Sequence, residues 1–201
     1  DLLHVSLDYR EDLQRYQPQI ALHVQTQDQW RAGGWRELPQ QRLDFRGHRR
    51  QALTLQWAGT REQLTQRLQD AGWQPAPAMD VKGLLLWLSP QVELRELPVL
   101  PQLHNGREDE LTLVRYGDDP ARRWLVRFWD VGARLRQDEV PIWVGSISQQ
   151  QRESRIRLFT FALDDPLTHV PADLLAPAWR GLHIQQVMGS NSGEPITLIA
   201  D

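Results

Sequence analysis

Arginine and tryptophan alternate across residues 122–159 in a pattern that could hold an anion. In "RRWLVRFWD" Arg123, Leu125, Arg127 and Trp129 occupy alternate positions; "VPIWVGSIS" adds Trp143 and Gly145, and "RIRLFTF" adds Arg155 and Arg157. Alternate side chains of a strand share a face. This predicts Trp124, Val126, Phe128, Ile142 and Val144 on a core face. The opposite face then carries the arginines with Trp129 and Trp143, and Gly145 leaves space between them. A guanidinium stacks well on indole, and its planar fork matches phosphate oxygens. The chemistry expected is binding of a lipid phosphate or an anionic membrane surface. The plainer reading is that the arginine stems only cover the sheet beneath a helix.

Other residue types say less. The six histidines, at 4, 23, 48, 104, 169 and 183, lack the close spacing of a zinc helix motif. His104, in "QLHNGRED", is the one candidate for acid–base catalysis, because it sits in a loop beside Arg107, Glu108 and Asp109. The pairs Asp118-Asp119 and Asp164-Asp165 read as turn formers rather than metal ligands. Ser146 in "WVGSISQ" lacks the second glycine of a nucleophile elbow. No phosphate loop or dinucleotide fingerprint is present, and neither a metal nor another cofactor is expected.

The 201 residues contain no cysteine, which excludes disulfides and thiolate metal sites. Net charge is −3, so the basic excess of a nucleic-acid binder is missing. Lys82 is the only lysine; a GC-rich genome explains that bias. The longest apolar run, Leu84 to Leu88, is far short of the roughly 20 residues that span a bilayer. The chain opens on Asp1 rather than methionine, which reads as a fragment or a processed product.

The elements that must position these residues can be read in outline. Residues 1–25 form a lead-in segment with a short strand at its end, and 26–201 form one domain. Thr26 with Gln29, and Thr60 with Gln63, have capping-box spacing. The first helix should stop at Gly33-Gly34 in a left-handed conformation. The second, with Leu64, Leu68 and Ala71 on one face, should stop at Gly72, with Trp73 folding back on Leu68. Trp35, Trp57, Trp73 and Trp87 read as core plugs. "ALTLQWAG" and "ELTLVRYG" follow the two helices and suggest a weak internal duplication of 26–59 and 60–117. A further helix is expected near 81–88 and a proline-rich connector over 97–109. Strands are expected near 110–116, 122–130, 140–148, 155–163, 182–188 and 195–199, with a longer loop at "DVGARLRQDEVP" and a helix near 172–179. This is an α+β fold, a mainly antiparallel sheet with a few short helices packed on it.

At "LDFRGHRRQALTLQWAG", "LLLWLSP", "LPVLPQLHNGREDELTLVRYG" and "LVRFWDV…VPIWVGSIS" the chain resembles the LssY C-terminal domain family, over roughly residues 26 to 165. The core motif is Val126 to Trp129 followed by Trp143 to Gly145. The resemblance implies a soluble domain at the end of a bacterial membrane protein that carries a DedA-type module, a type 2 phosphatidic acid phosphatase module, or both. The phosphatase histidines and arginines belong to that membrane part. Relatives follow the motif with an Ala-Ala-Thr-like segment and a later His-His stretch. Here "SISQQQ" and "FTFALDDP" stand instead, so no histidine role carries over.

The expected function is thus a non-catalytic accessory domain. Its partners would be the membrane part of the same protein and anionic lipid or lipid phosphate, and no nucleic acid. The resemblance places it on the periplasmic face. The rival readings are a phosphoester hydrolase using His104, marked by a pocket with a buried histidine or carboxylate, and an assembly domain, marked by an exposed apolar patch.

Overall fold

The computed structural model describes residues 23–77, 92–155, 159–166 and 172–201. Arg157 and Trp87, and the helix expected near 81–88, lie outside them.

The long hairpin of β9 (Arg122–Leu135) and β10 (Pro141–Arg155) organises the molecule. Both strands outrun the sequence expectation. "DVGARLRQDEVP" is not a long loop, because Ala133 and Leu135 continue the inward alternation of β9 while Arg134 points aside. The nine-stranded sheet runs β12 (His183–Met188), β13 (Pro195–Ala200), β4 (Leu55–Ala58), β10, β9, β8 (Leu111–Tyr116), β5 (Gln74–Pro75). Two further strands, β1 (His23–Gln25) and β11 (Phe159–Pro166), flank β9 and β10. Pairs β1–β9 and β13–β4 are parallel and the other pairs of this sheet are antiparallel, so the sheet is mixed. Two small hairpins stand apart: β2 (Gln41–Leu43) with β3 (Arg49–Ala52), and β6 (Leu103–His104) with β7 (Arg107–Glu108).

The helices start as their caps dictate. In α1 (Gln27–Ala32) the Gln29 N–H donates to Thr26 Oγ1 at 3.1 Å and the Thr26 N–H to Gln29 Oε1 at 2.9 Å. Thr60 and Gln63 repeat this at α2 (Arg61–Asp70). The stop of α2 is a left-handed Gly72, after which the Trp73 N–H returns to the Leu68 carbonyl. α1 ends differently from expectation. Gly33 is extended and a 3-10 turn, Gly34–Glu37, follows. A Cβ at 34 would displace the end of the Gln25 side chain, whose Oε1 lies 1.7 Å from that position. A last single turn, α3 (Ala172–Leu175), precedes β12.

Both faces of the sheet are buried along its central strands. On one, Leu64 and Leu68 of α2, Trp73 and the 174–179 segment pack against Trp57, Val126, Phe128, Trp143, Ile147 and Ile199. On the other, Trp30 of α1, Trp35, Leu38 and Leu53 pack against Trp129, Ala133, Ile142, Val144, Ile196 and Leu198. Two cores explain why all four residues of β4 are buried. Asp118-Asp119 makes the expected turn, with Asp119 Oδ1 accepting the Ala121 N–H at 2.9 Å. Asp164 and Asp165 do not: they lie within β11, opposite Gln150 and Gln149.

Candidate functional site

Register fixes which side chains meet. Trp129 lies opposite Val144, Arg127 opposite Ser146, Leu125 opposite Ser148 and Arg123 opposite Gln150; β8 adds Thr112 opposite Arg127. Arg123, Leu125, Arg127 and Trp129 therefore share a face, as alternation predicts. Trp143 and Gly145 are not on it. A bulge on β9, opposite the step from Ile142 to Trp143, shifts the register between the two strands. Trp143 packs with Val126 and Phe128, while Ile142 and Val144 join Trp129. Gly145 makes room for Phe128, not for a ligand: a Cβ there would come within 2.6 Å of the Phe128 ring. Arg155 lies near the far end of β10, opposite Phe159.

The arginine face is covered. Arg123 is 0 % exposed and Arg127 2 %. Arg123 donates from Nε to Gln150 Oε1 at 2.7 Å and from Nη1 to the Leu94 and Leu97 carbonyls at 2.8 Å each. Its guanidinium thus holds segment 92–97 over the sheet. Arg127 donates to Ser148 Oγ at 3.3 Å and lies within electrostatic reach of Asp109. Burial pushes the Asp109 carboxyl up, against the pull of the Gln102 N–H and Arg127. The same carboxylate accepts from the Thr112 hydroxyl.

His104 is part of this cover. Its ring is 6 % exposed, 6.1 Å from the Trp129 ring, and Nδ1 accepts the Leu43 N–H at 3.2 Å. Burial, with the nearby Arg42 charge, brings its pKa down to about 4. The ring is therefore neutral at pH 7, with its proton on Nε2 and its basic nitrogen engaged by backbone. Around it, Arg42 donates to the Leu103 carbonyl at 2.6 Å, and Gln51 Nε2 to Gln102 Oε1 at 2.8 Å and Ser146 Oγ at 3.3 Å. These bonds bind β2 and β3 to β6 and to the sheet.

Alternation alone could have singled out Ser146, Ser148 and Gln150, a polar stripe at every second position of β10. Their partners, Gln51 of β3 and the loop residues Gln102 and Asp109, carry no such signal. A second charged group lies at the rim. Arg134 binds Asp130 through both guanidinium ends at 2.7 Å, and Arg107 bridges the Asp130 carbonyl and the Glu110 carboxylate. Burial raises the Glu110 pKa, while for Asp130 the Arg134 hydrogen bond and the Gly132 N–H outweigh burial and lower it.

Among the described residues, two clefts open to solvent. One, of about 550 Å³, lies between α2 and β8 and is lined by Arg61, Thr65, Gln66, Gln69, Glu110 and Thr112. The other, of about 280 Å³, lies by Arg36, Gln41, Arg49 and Asn191. Neither takes in His104, Arg123 or Arg127. Among the described residues no three His, Asp or Glu side chains converge as metal ligands. No described helix is long and apolar enough to cross a membrane.

The family model described as LssY C-terminus matches residues 35–166, most of the chain and the whole β9–β10 hairpin. The chain belongs to the LssY C-terminal family. No curated protein and no solved structure matches it. In this LssY C-terminal domain the motif strands are the central hairpin itself. Val126, Phe128 and Trp143 build one core, Trp129 and Val144 the other, and Arg127 sits in the buried polar layer.

Proposed function

We propose that this is a non-catalytic accessory domain of a membrane lipid-phosphatase-like protein of the DedA or phosphatidic acid phosphatase type, working on the periplasmic face. It binds a ligand, a partner or the membrane beside the lipid site. The observation that carries this reading is the engagement of the residues that could handle phosphate. Arg123 holds loop carbonyls, Arg127 is sealed under the cover, and His104 has its basic nitrogen taken by Leu43. A general base must reach a substrate proton, and an anion site must be open to its anion.

The test is turnover by the purified chain, with and without divalent cations, on phosphatidate in mixed micelles and on a soluble phosphate ester. No hydrolysis above the buffer rate is expected. Hydrolysis that is lost in His104→Ala favours the hydrolase reading and overturns this one.

One observation favours assembly as a second reading. Strand β12 ends the strand order among the described residues, and Ile184 and Met188 are exposed on one of its faces. An outer strand of this kind can accept a further strand. Sedimentation velocity of wild type against Ile184→Lys decides it: a dimer lost in the variant supports assembly, and a monomer in both removes it.

A further inference from the structure

The β2–β3 hairpin turns through "DFRGHRR", and all six residues from Phe45 to Arg50 are exposed. Phe45 is 66 % exposed, the largest value among the exposed apolar side chains of the described residues. The turn is built by Asp44, whose Oδ1 accepts the Arg46 and His48 N–H groups at 2.8 and 2.9 Å, and by a left-handed Gly47. Arg50 pairs with Asp44 at 2.6 Å. Burial pushes the Asp44 carboxyl up, but the His48 N–H, Arg50 and the Arg46 N–H outweigh it and bring the pKa down to about 2. The one acidic group of the tip is thus neutralised within it. Arg46 lies over the Phe45 ring at 5.2 Å, and Arg49, exposed at the start of β3 opposite Leu43, lies on the rim of the smaller cleft.

We infer that this tip docks on an anionic membrane surface, with Phe45 entering the interface and Arg46 and Arg49 meeting lipid phosphates. A projecting aromatic with a cation over its ring and a second exposed arginine on the same hairpin suits the boundary between acyl chains and headgroups. Local positive charge in a chain of net −3 orients the domain tip-first toward a negative leaflet. A single aromatic offers no run of stacking platforms for bases, which disfavours a nucleic acid. The hairpin is held ready, because Arg42, Gln51 and His104 tie its root to the body. This inference deepens the membrane-facing form of the accessory reading and moves the contact from the sheet face to the hairpin.

The experiment is co-sedimentation of the chain with phosphatidylcholine vesicles, with and without a fifth of anionic phosphatidylglycerol, at low and moderate salt. Wild type should bind the anionic vesicles, less at higher salt. Arg46→Ala and Arg49→Ala should each weaken binding roughly fivefold, and Phe45→Ala should weaken it at both salt levels. Circular dichroism checks that each variant stays folded, which is expected at exposed positions. No binding by wild type at low salt, or equal binding by all variants, overturns the inference. So does a Phe45-dependent dimer in sedimentation, which would make the tip a contact between copies, or tip-dependent binding of an oligonucleotide with none of vesicles. Absence of vesicle binding leaves the accessory reading standing, and phosphate turnover would remove that reading without touching this one.

Discussion

The Leu43 N–H donates to His104 Nδ1 at 3.2 Å, so a buried imidazole holds one strand of the exposed hairpin. Protonation removes that acceptor. The folded-state pKa of about 4 lies below the usual 6.5, so the unfolded chain binds the proton more readily between those values. Stability should be flat with respect to this group above pH 6.5 and fall as pH drops toward 4, by about 3 kcal/mol in full. His104→Gln keeps an acceptor without the titration. The difference between the two proteins isolates the ring, because Asp109 and Glu110, both raised by burial, act with the opposite sign. Urea midpoints from pH 4 to 8 that fall in parallel for both proteins would sink the assignment.

Helix α2 is fixed at both ends, and the two ends should differ in cost. Thr60→Ala removes the acceptor of the Gln63 N–H at an exposed cap and should lower stability by about 1 kcal/mol. Trp73 is fully buried against Leu68, and Trp73→Ala should cost about 3–5 kcal/mol. Its indole N–H has no hydrogen-bond partner among the described residues, so Trp73→Phe should cost far less than the alanine. Equal losses in all three variants by chemical denaturation would contradict the plug role.

Local rules carried far in this chain, and they stopped at definite points. Capping boxes at Thr26 and Thr60 and the alternation in β9 are written in adjacent residues. What decided the site was not. The bulge lies on β9, where Val131 and Gly132 separate the partners of Trp143 and Ile142, and a left-handed Gly132 marks it. Alternation within β10 holds throughout, but it does not say which face of β10 matches which face of β9; register does. Because both faces of the sheet are buried along its central strands, a tryptophan fits either, and alternation cannot tell core from surface. The cover over Arg123 comes from carbonyls at 94 and 97, and a carbonyl belongs to every residue alike. The β2–β3 hairpin was hidden for a different reason: its strands are short and arginine-rich, without an apolar period to reveal them.

Gly145 and Phe128 give the sharpest packing test. They face each other across β9 and β10, and a methyl at 145 would overlap the ring and approach the Arg127 carbonyl to 2.9 Å. Gly145→Ala should destabilise by about 1–3 kcal/mol. Phe128→Leu frees part of that space, so the double variant should be less unstable than the two single losses added together. Strict additivity in thermal or urea unfolding would show that the ring is not the obstacle.

The last test concerns the loop that hides the arginines. Segment 92–99 has its own small apolar contacts, Val92, Leu94 and Leu97, but the Arg123 guanidinium also binds the carbonyls of Leu94 and Leu97 beneath it. Without that guanidinium both carbonyls, and Gln150, lose a partner in a place that water does not reach. Leaving a buried polar group unpaired costs about 1–3 kcal/mol, so Arg123→Ala should lose about 3 kcal/mol or more. Arg123→Lys should not rescue it fully, since one ammonium cannot reproduce the fork that serves Gln150 and the loop together. The loss is also local. Arg95 is exposed on this segment and rests over the Tyr116 ring at 4.8 Å, which makes it a trypsin site that opens only when the loop lifts. Brief trypsin digestion at low temperature, read by mass spectrometry, should cut after Arg95 much faster in Arg123→Ala than in wild type, ahead of global unfolding. Cleavage at Arg95 at the wild-type rate, in a variant of unchanged stability, would mean that the apolar contacts alone hold the cover and that the buried arginine is not its latch.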